Sequence, residues 1–331
     1  MNANPVVVIS FPVEPEGRAL LDRELGEVSR LVFLKDLEGS ENRRKALESA
    51  DILVSFMMGQ EIPSFELPLL KNLKFFQSLL AGVDALPFSL MPKGAPICCN
   101  AGAWADPLAE HALGMVLALG KNLVPLHNKL ARGEFDNNRE SLWFRKSIAT
   151  IVGFGGIGRA VARLFRCLGM QIRAVNTSGH TPEPVDWIGT LGNLEEAFRD
   201  ANVVVLSLPL TRKTRGMIGT RELGWMREDA IFVNVARGAL VQEKALYDHL
   251  VAHPHFRAAI DTWWIEPPTH GEFRTDYPFF ELENVLGSPH NSNLVSGIFP
   301  YALKAAVYNV RRFLAGEPPL GLVDPADYME A

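Results

Sequence analysis

Three side chains suited to acid–base and anion chemistry each follow a predicted strand. Arg237 comes after FVNVA, Glu266 after AIDTWWI and His290 after VLGSP. The carboxyl ends of parallel strands form the edge of a sheet where ligands bind, so these side chains could gather there. An imidazole exchanges a proton near neutral pH, a neighbouring carboxylate favours its charged form, and a guanidinium can hold a carboxylate through two hydrogen bonds. Such a set suits carbonyl–hydroxyl redox chemistry.

Each of the three also has a structural interpretation. Arg237 could form an ordinary ion pair, Glu266 could be a loop carboxylate before two prolines, and His290 could be a packing histidine. Spacing along the chain does not bring the three side chains together. Whether they meet depends on how the strands that precede them are arranged in the sheet.

A glycine-rich turn predicts a dinucleotide site. Gly153, Gly155 and Gly158 stand in G-x-G-x-x-G spacing between a predicted strand and a predicted helix, which is the context that the motif requires. The first glycine allows the tight turn, the second lets the backbone approach a pyrophosphate, and the third lets the helix pack closely on the strand. The free N–H groups at the helix N-terminus then face the anion.

The end of the next strand bears on the choice of cofactor. A carboxylate about 20 residues after the turn would bind the ribose 2′-hydroxyl of NAD. The sequence there contains Asn176, Thr177 and Ser178, followed by His180, and has no carboxylate. This stretch therefore favours NADP over NAD, although it contains no Arg to bind a 2′-phosphate.

The elements that would position these residues alternate between strand and helix, which predicts βαβ units around parallel sheets. From residue 147 onward the apolar runs are continuous, as expected of strands that are buried on both faces. Asp106 could cap a long helix that runs to Leu130 and breaks near Pro125. A last long helix is predicted from Leu294 to Leu314.

Length, charge and composition exclude several classes of protein. The chain has 331 residues, enough for about two domains, and its net charge of −5 argues against a general nucleic-acid binder. Three cysteines cannot build a disulfide framework, and nothing completes a zinc site. The N-terminus does not read as a signal peptide, and the apolar run at 112–120 is too short for a bilayer. We expect a soluble cytoplasmic protein with no membrane partner.

Several segments together resemble the D-isomer-specific 2-hydroxyacid dehydrogenase family, over nearly the whole chain. They include a carboxylate-binding loop, an inter-domain helix, the cofactor turn, a P-L-T loop and signatures that bear Arg, Glu and His. In order these segments are LLAGVDAL at 79–86, ICCNAGAWADPLAEHALGMVLAL at 97–119, GFGGIG at 153–158, SLPLTRKTRGMIG at 207–219, VNVARGALVQEKAL at 233–246, DTWWIEPP at 261–268 and SPH at 288–290.

The resemblance implies a role for each matched residue. His290 would be the general acid that protonates a carbonyl oxygen, Glu266 would pair with it, and Arg237 would hold the carboxylate and carbonyl of a 2-oxo acid. Asp261 would contact the nicotinamide amide. Backbone N–H groups of four residues would also bind the substrate carboxylate: Leu80, Ala81, Gly82 and Val83. The remaining expected cofactor contacts, beside His290 itself and the residues named above, are Gly156, Ile157, Leu208, Pro209, Val235 and Ala236.

The resemblance also implies an architecture. A Rossmann-type cofactor domain at 101–289 would be inserted into a flavodoxin-like substrate domain at 1–100 plus 290–331. Two such chains would form a homodimer, with Trp143 in the segment that embraces the second subunit.

The implied activity is NAD(P)H-dependent reduction of a small 2-oxo acid, such as glyoxylate or hydroxypyruvate, to the D-2-hydroxy acid. The formate-oxidising branch carries Gln where Glu266 stands, which disfavours formate. A different class of protein remains open, namely a corepressor-like sensor that binds the dinucleotide without turnover, because fold alone does not fix function.

Overall fold

The computed structural model describes residues 4–329, which form two compact units. The terminal unit contains the chain up to Trp104 and from Ser296 onward, and the central unit is Ala105–Val295. The sequence-based breaks at 100/101 and 289/290 fall a few residues before these, because the central unit begins with a helix at Ala105 and keeps the loop that follows its last strand.

The strands and helices are as follows, in chain order. The first part of the terminal unit contains β1 Val6–Ile9, α1 Pro15–Leu25, β2 Arg30–Phe33, α2 Ser40–Glu48, β3 Ile52–Ser55, α3 Met58–Glu61, β4 Phe75–Ser78 and β5 Ile97–Cys98. The central unit contains α4 Ala105–Gly120, α5 Leu123–Ala131, β6 Ile148–Val152, α6 Gly156–Cys167, β7 Gln171–Val175, β8 Trp187–Gly189, α7 Leu194–Phe198, β9 Val203–Leu206, α8 Thr220–Leu223, β10 Ile231–Asn234, α9 Glu243–Ala252, β11 Arg257–Ile260, α10 Pro267–His270 and β12 Val285–Gly287. The chain then returns to the terminal unit with α11 Ile298–Leu314 and β13 Leu322–Val323.

The central unit contains a sheet in which every strand pair is parallel, in the order β12-β11-β10-β9-β6-β7-β8. Read from the first strand of the unit, this is the 3-2-1-4-5-6 Rossmann order with one further strand. Val203 and Val205 of β9 face one apolar cluster, and Val204 and Leu206 face the other. Helices cover both faces, which explains why the strand sequences are continuously apolar.

The terminal unit contains the second sheet, in the order β13-β5-β4-β3-β1-β2. Strands β1 to β5 pair in parallel in the flavodoxin-like order 2-1-3-4-5, and β13 adds an antiparallel edge. Helix α11 packs on α1 and β4. The two units thus have the predicted doubly wound architectures, Rossmann-type and flavodoxin-like.

The long helix predicted over 106–130 is interrupted near Pro125, as expected. The break lies at Asn122, three residues earlier, which adopts φ +52 between α4 and α5. Pro125 lies in the first turn of α5, where a proline costs no intrahelical hydrogen bond. Asp106 is likewise the second residue of α4 and not its cap.

The C-terminal tail is tied to the terminal unit by a buried amide. The Asn309 amide nitrogen donates to Gln77 Oε1 at 2.6 Å and to the Leu320 carbonyl at 2.9 Å, and its oxygen accepts the Leu320 N–H at 2.7 Å. These bonds accompany the antiparallel pairing of β13 with β5. Across residues 4–329, no helix is long and apolar enough to cross a membrane.

Candidate active site

The imidazole of His290 is paired with the carboxylate of Glu266. His290 Nδ1 lies 2.8 Å from Glu266 Oε2, and the side chains are 37% and 16% exposed, respectively. His290 follows β12 and adopts φ +51, a left-handed conformation that is uncommon for a residue with a side chain. The hydrogen bond from its own N–H to the Asp261 carbonyl, 2.8 Å, holds this backbone in place.

The Glu266 carboxylate is held at its other oxygen as well. The Trp263 N–H donates to Glu266 Oε1 at 2.6 Å. The Glu266 N–H donates to His270 Nδ1 at 3.1 Å, and the N–H groups of Thr269 and His270 donate to the Glu266 carbonyl. The backbone of Glu266 is thus fixed where α10 begins, and one oxygen of its carboxylate is held by a backbone N–H group.

Arg237 follows β10, three positions before the next buried apolar side chain, Leu240. Its carbonyl accepts from the Asn234 amide at 2.9 Å, and Asn234 Oδ1 accepts the Ala236 N–H at 3.1 Å. The guanidinium donates to the Ala236 carbonyl at 2.7 Å and is partly exposed. Asn234 therefore shapes the turn that carries Arg237, Val235 and Ala236.

Asp261, directly after β11, is completely buried. Its Oδ1 accepts from the Ser288 hydroxyl at 2.6 Å and from the Asn291 N–H at 3.3 Å. Within the described part of the chain, Asp261 Oδ2 and the neighbouring Thr262 Oγ1 have no hydrogen-bond partner. A buried oxygen without a partner is costly, so Oδ2 is suited to accept an N–H group from a ligand.

The glycine turn between β6 and α6 has the shape that a dinucleotide needs. Gly153 adopts φ +96, and a Cβ there would lie 2.6 Å from the backbone of Ser207 and Leu208. A Cβ at Gly158 would collide with the Gly153 carbonyl oxygen, whereas one at Gly155 would meet nothing within 4 Å. Gly153 and Gly158 are thus required by packing, while the open space at Gly155 fits a pyrophosphate. Gly156 and Ile157 form the first turn of α6.

The segment after β7 is organised by Asn176. Its Oδ1 accepts the Ser178 N–H at 3.1 Å and the Gly179 N–H at 2.7 Å, and its amide nitrogen donates to the His180 carbonyl at 2.8 Å. Thr177, Ser178 and His180 are exposed around this turn. Asn176 is therefore occupied in building the turn, and so is the Ser178 hydroxyl, which lies 3.2 Å from the His180 carbonyl.

Leu208 and Pro209 follow β9 and lie in a loop closed by Thr214. The Thr214 hydroxyl donates to the Pro209 carbonyl at 2.8 Å and accepts the Thr211 N–H at 2.8 Å. Together with the segments above, this loop lies at the carboxyl edge of the central sheet. The structure thus places every predicted catalytic and cofactor residue at one edge.

The predicted carboxylate-binding loop belongs to the terminal unit, directly after β4. The Leu80 N–H donates to Ser78 Oγ at 3.0 Å, so it already has an acceptor. No acceptor for the N–H groups of Ala81, Gly82 and Val83 is found among residues 4–329. Trp104 and Asn100 both donate to the Leu79 carbonyl, at 2.7 and 3.1 Å, and so support the loop from below.

Sequence reasoning overlooked two side chains at this site, His111 and Ser288. His111 Nε2 lies 2.9 Å from Ser288 Oγ, which donates to Asp261. A signal was present, because His111 lies three residues after Leu108 and four before Met115, on the apolar stripe of a helix. A polar residue there needs a buried partner.

A Rossmann unit with an open glycine turn and a histidine–carboxylate pair is what a nicotinamide-dependent oxidoreductase requires. Comparison with known proteins makes this specific. Residues 113–292 match the family model described as D-isomer specific 2-hydroxyacid dehydrogenase, NAD binding domain. This chain belongs to that family and is an NAD(P)-dependent oxidoreductase of 2-hydroxy acids.

Individual relatives are similar along most of their length. A glyoxylate reductase of Thermococcus kodakarensis is 30% identical over 292 residues, covering 85% of each chain. A hydroxypyruvate reductase of Thermotoga maritima is 28% identical over 290 residues, covering 86% of this chain and 90% of the relative. A provisionally named formate dehydrogenase of Pyrobaculum aerophilum matches in structure with a TM-score of 0.80 and 30% identity, covering 97% of this chain and 99% of the other.

Alanine substitutions in the glycine turn should separate packing from ligand binding. We expect Gly155→Ala to leave the free energy of unfolding within about 0.5 kcal/mol of the wild type, yet to raise the Kd for NADH and NADPH by about tenfold or more, because its methyl group enters the space that a pyrophosphate needs. Gly158→Ala should instead destabilise the ligand-free protein by about 1–3 kcal/mol through overpacking.

Gly114→Ala, in α4 with nothing within 4 Å of its new Cβ, is the matched control and should not affect either Kd. Denaturant titration and isothermal titration calorimetry measure the two properties. Unchanged cofactor binding in Gly155→Ala would contradict the assignment of the turn.

Proposed function

We propose that this enzyme catalyses the reversible reduction of a small 2-oxo acid, of the size of glyoxylate or hydroxypyruvate, to the D-2-hydroxy acid. The observation that carries the proposal is the 2.8 Å pair of His290 and Glu266 at the same sheet edge as Arg237 and the glycine turn. The names of the glyoxylate and hydroxypyruvate reductases among the relatives support the substrate class.

His290 is the proton donor in reduction and the proton acceptor in oxidation. Glu266 holds Nδ1, so Nε2 is the ring nitrogen that can transfer a proton to the substrate oxygen. The Trp263 N–H fixes the carboxylate, and the carboxylate fixes the plane of the imidazole. The proton donor is therefore oriented before the substrate arrives, which reduces the entropic cost of reaching a reactive geometry.

Arg237 binds the carboxylate and the carbonyl oxygen of the substrate. A guanidinium presents paired donors in one plane, which suit a planar 2-oxo acid. The N–H groups of Ala81, Gly82 and Val83 are further donors to the substrate carboxylate, with Leu80 supporting the loop that carries them. Both sets of donors recognise an anion without requiring a basic surface overall.

The nicotinamide cofactor, when bound, supplies the hydride. The chain contributes its binding and orientation. The N–H groups at the start of α6, from Gly155 to Gly158, would bind the pyrophosphate, and Asp261 Oδ2 would accept an N–H group of the carboxamide. Leu208, Pro209, Val235 and Ala236 line the remaining cofactor surface.

NADP is the preferred form of the cofactor. The turn after β7 carries no carboxylate that would repel a 2′-phosphate, and it presents the hydroxyls of Thr177 and Ser178 and the imidazole of His180 on its exposed side. Asn176 holds this turn together by three hydrogen bonds to its backbone.

The active form is a homodimer in which the segment after α5 embraces the second subunit. Trp143 is 75% exposed and Phe135 81% exposed in this segment. Exposed α5 side chains, Val124 among them, border a 260 Å³ cavity that Phe280 also lines. Large exposed apolar side chains are typical of surfaces that contact another protein.

A substrate screen tests the function directly. We expect oxidation of NADPH, and more slowly of NADH, with glyoxylate and hydroxypyruvate, and no reduction of NADP⁺ or NAD⁺ by formate, because Glu266 stands where the formate-oxidising branch carries Gln. His290→Ala should lower kcat about 10²- to 10⁴-fold with little change in the Kd for NADPH. Arg237→Ala should mainly impair handling of the 2-oxo acid, raising its KM.

Absorbance at 340 nm follows the reaction. Tight binding of cofactor without turnover of any acid would favour the dinucleotide sensor, and turnover of formate would overturn the substrate class.

Cofactor preference can be tested at a single position. In Asn176→Asp the side chain can still accept the two backbone N–H groups but no longer donates to the His180 carbonyl, and it places a negative charge beside the proposed position of the 2′-phosphate. Because like charges in close contact are strongly unfavourable, the ratio of kcat/KM for NADPH to that for NADH should fall by about tenfold or more. Asn42→Asp, an equal charge change at an exposed site of the terminal unit, should leave the ratio unchanged. An unchanged ratio in Asn176→Asp would argue against NADP preference at this turn.

The dimer is tested by replacing exposed apolar groups. Trp143→Ser should shift the elution of the protein on size exclusion with light scattering from about twice the mass of one chain to one chain at micromolar concentration, because central aromatic residues contribute much of an interface's binding energy. Leu90→Ser, at a half-exposed apolar residue of the terminal unit, is the control. A wild type that elutes as one chain would contradict the proposal.

A further inference from the structure

The two oxygens of the buried Asp261 carboxyl group have different surroundings. Oδ1 accepts from Ser288 Oγ at 2.6 Å and from the Asn291 N–H at 3.3 Å, and His111 Nε2 lies 3.5 Å away. No described residue bonds to Oδ2. The neighbouring donors therefore all bond to Oδ1, and Oδ2 has no partner among the described residues, although the carboxyl group is fully buried.

The hydrogen-bond directions in this network are fixed by counting protons. The Ser288 hydroxyl has a single hydrogen, which it donates to Asp261. At 2.9 Å from His111 Nε2 it must then act as an acceptor, so Nε2 of His111 carries a hydrogen. The result is a directed relay from His111 to Ser288 to Asp261.

Three separate elements place this relay. His111 projects from α4, which packs on β10 and β11, while Asp261 and Ser288 follow β11 and β12. The Trp263 indole N–H donates to the Ser288 carbonyl at 2.8 Å and fixes its backbone. The Asp261 carbonyl accepts the His290 N–H at 2.8 Å, so the relay and the His290–Glu266 pair share one stretch of backbone.

We propose that His111 and Ser288 are positioning residues that hold Oδ1 of Asp261, so that Oδ2 is presented to the carboxamide N–H of the nicotinamide ring. This deepens the proposed function and rests on the contact between Asp261 and the carboxamide. The last torsion of an aspartate side chain is broad, so a carboxyl group without the relay can rotate away from the amide. The relay selects one rotamer and thereby the orientation of the ring.

The carboxamide preference of the binding site is the quantity to measure. In 3-acetylpyridine analogues of NADH and NADPH a methyl group replaces the amide nitrogen, so the analogue cannot donate to Oδ2. Isothermal titration calorimetry on the full chain gives the Kd of each cofactor and of its analogue. The Kd of the analogue divided by the Kd of the cofactor is the ratio that reports this one hydrogen bond. Activity is not needed for the readout.

We expect Ser288→Ala and His111→Leu to reduce the ratio by about two- to tenfold, the usual range for one hydrogen bond. Ser288→Thr and His111→Gln keep the required donor and should retain the wild-type ratio. His255→Leu, at an exposed histidine of the same unit, is the control and should also retain it. Should Ser288→Ala fail to fold, the His111 pair carries the test.

Asp261→Ala separates this inference from the function on which it rests. If it leaves the ratio unchanged, Asp261 does not contact the carboxamide, and that part of the proposed function fails. If Asp261→Ala reduces the ratio but Ser288→Ala and His111→Leu do not, only the positioning inference is overturned. Equal weakening of cofactor and analogue in the relay variants would also overturn it, because that outcome indicates general damage to the site.

Discussion

The hydrogen bond between His290 and Glu266 is the interaction on which the geometry of the site depends. A partly buried carboxylate is costly unless fixed donors surround it, and here one oxygen takes the Trp263 N–H while the other takes the imidazole. The left-handed backbone at His290, held by the Asp261 carbonyl, points the ring toward Glu266. Strain of this kind at a site is stable only where neighbouring bonds determine it.

Close packing around Trp263 makes that arrangement possible. A Cβ at Gly238 would collide with the Trp263 backbone, and one at Gly287 would lie 2.7 Å from its ring. Phe273 and Phe280 lie against the same indole, with ring centroids 5.6 and 5.1 Å away. Two glycines and an aromatic cluster thus bring the ends of three neighbouring strands together, and the loops that carry Arg237, Glu266 and His290 with them.

The glycine turn and the two-sided burial of the central sheet could be predicted from the sequence of short segments. The turn at Gly153 and Gly158 needs glycine for steric reasons that any structure of the motif must satisfy, and the continuous apolar strands require helices on both faces. The helix break expected near Pro125 lies three residues earlier, at Asn122, whose positive φ the sequence pattern does not show. His111 was overlooked because its partner, Ser288, is 177 positions away.

The sequence by itself determined the class of each unit, the glycine turn after β6 and the family, because these depend on residue types at short, fixed spacings. Only the tertiary structure decided which groups share a proton or an acceptor. It showed that Glu266 hydrogen-bonds His290 and that Asn176 hydrogen-bonds the backbone of its own turn. It also showed that Asp261 has one oxygen bonded and one without a partner among the described residues. Such pairings depend on the register of strands far apart in the chain, which local patterns do not encode.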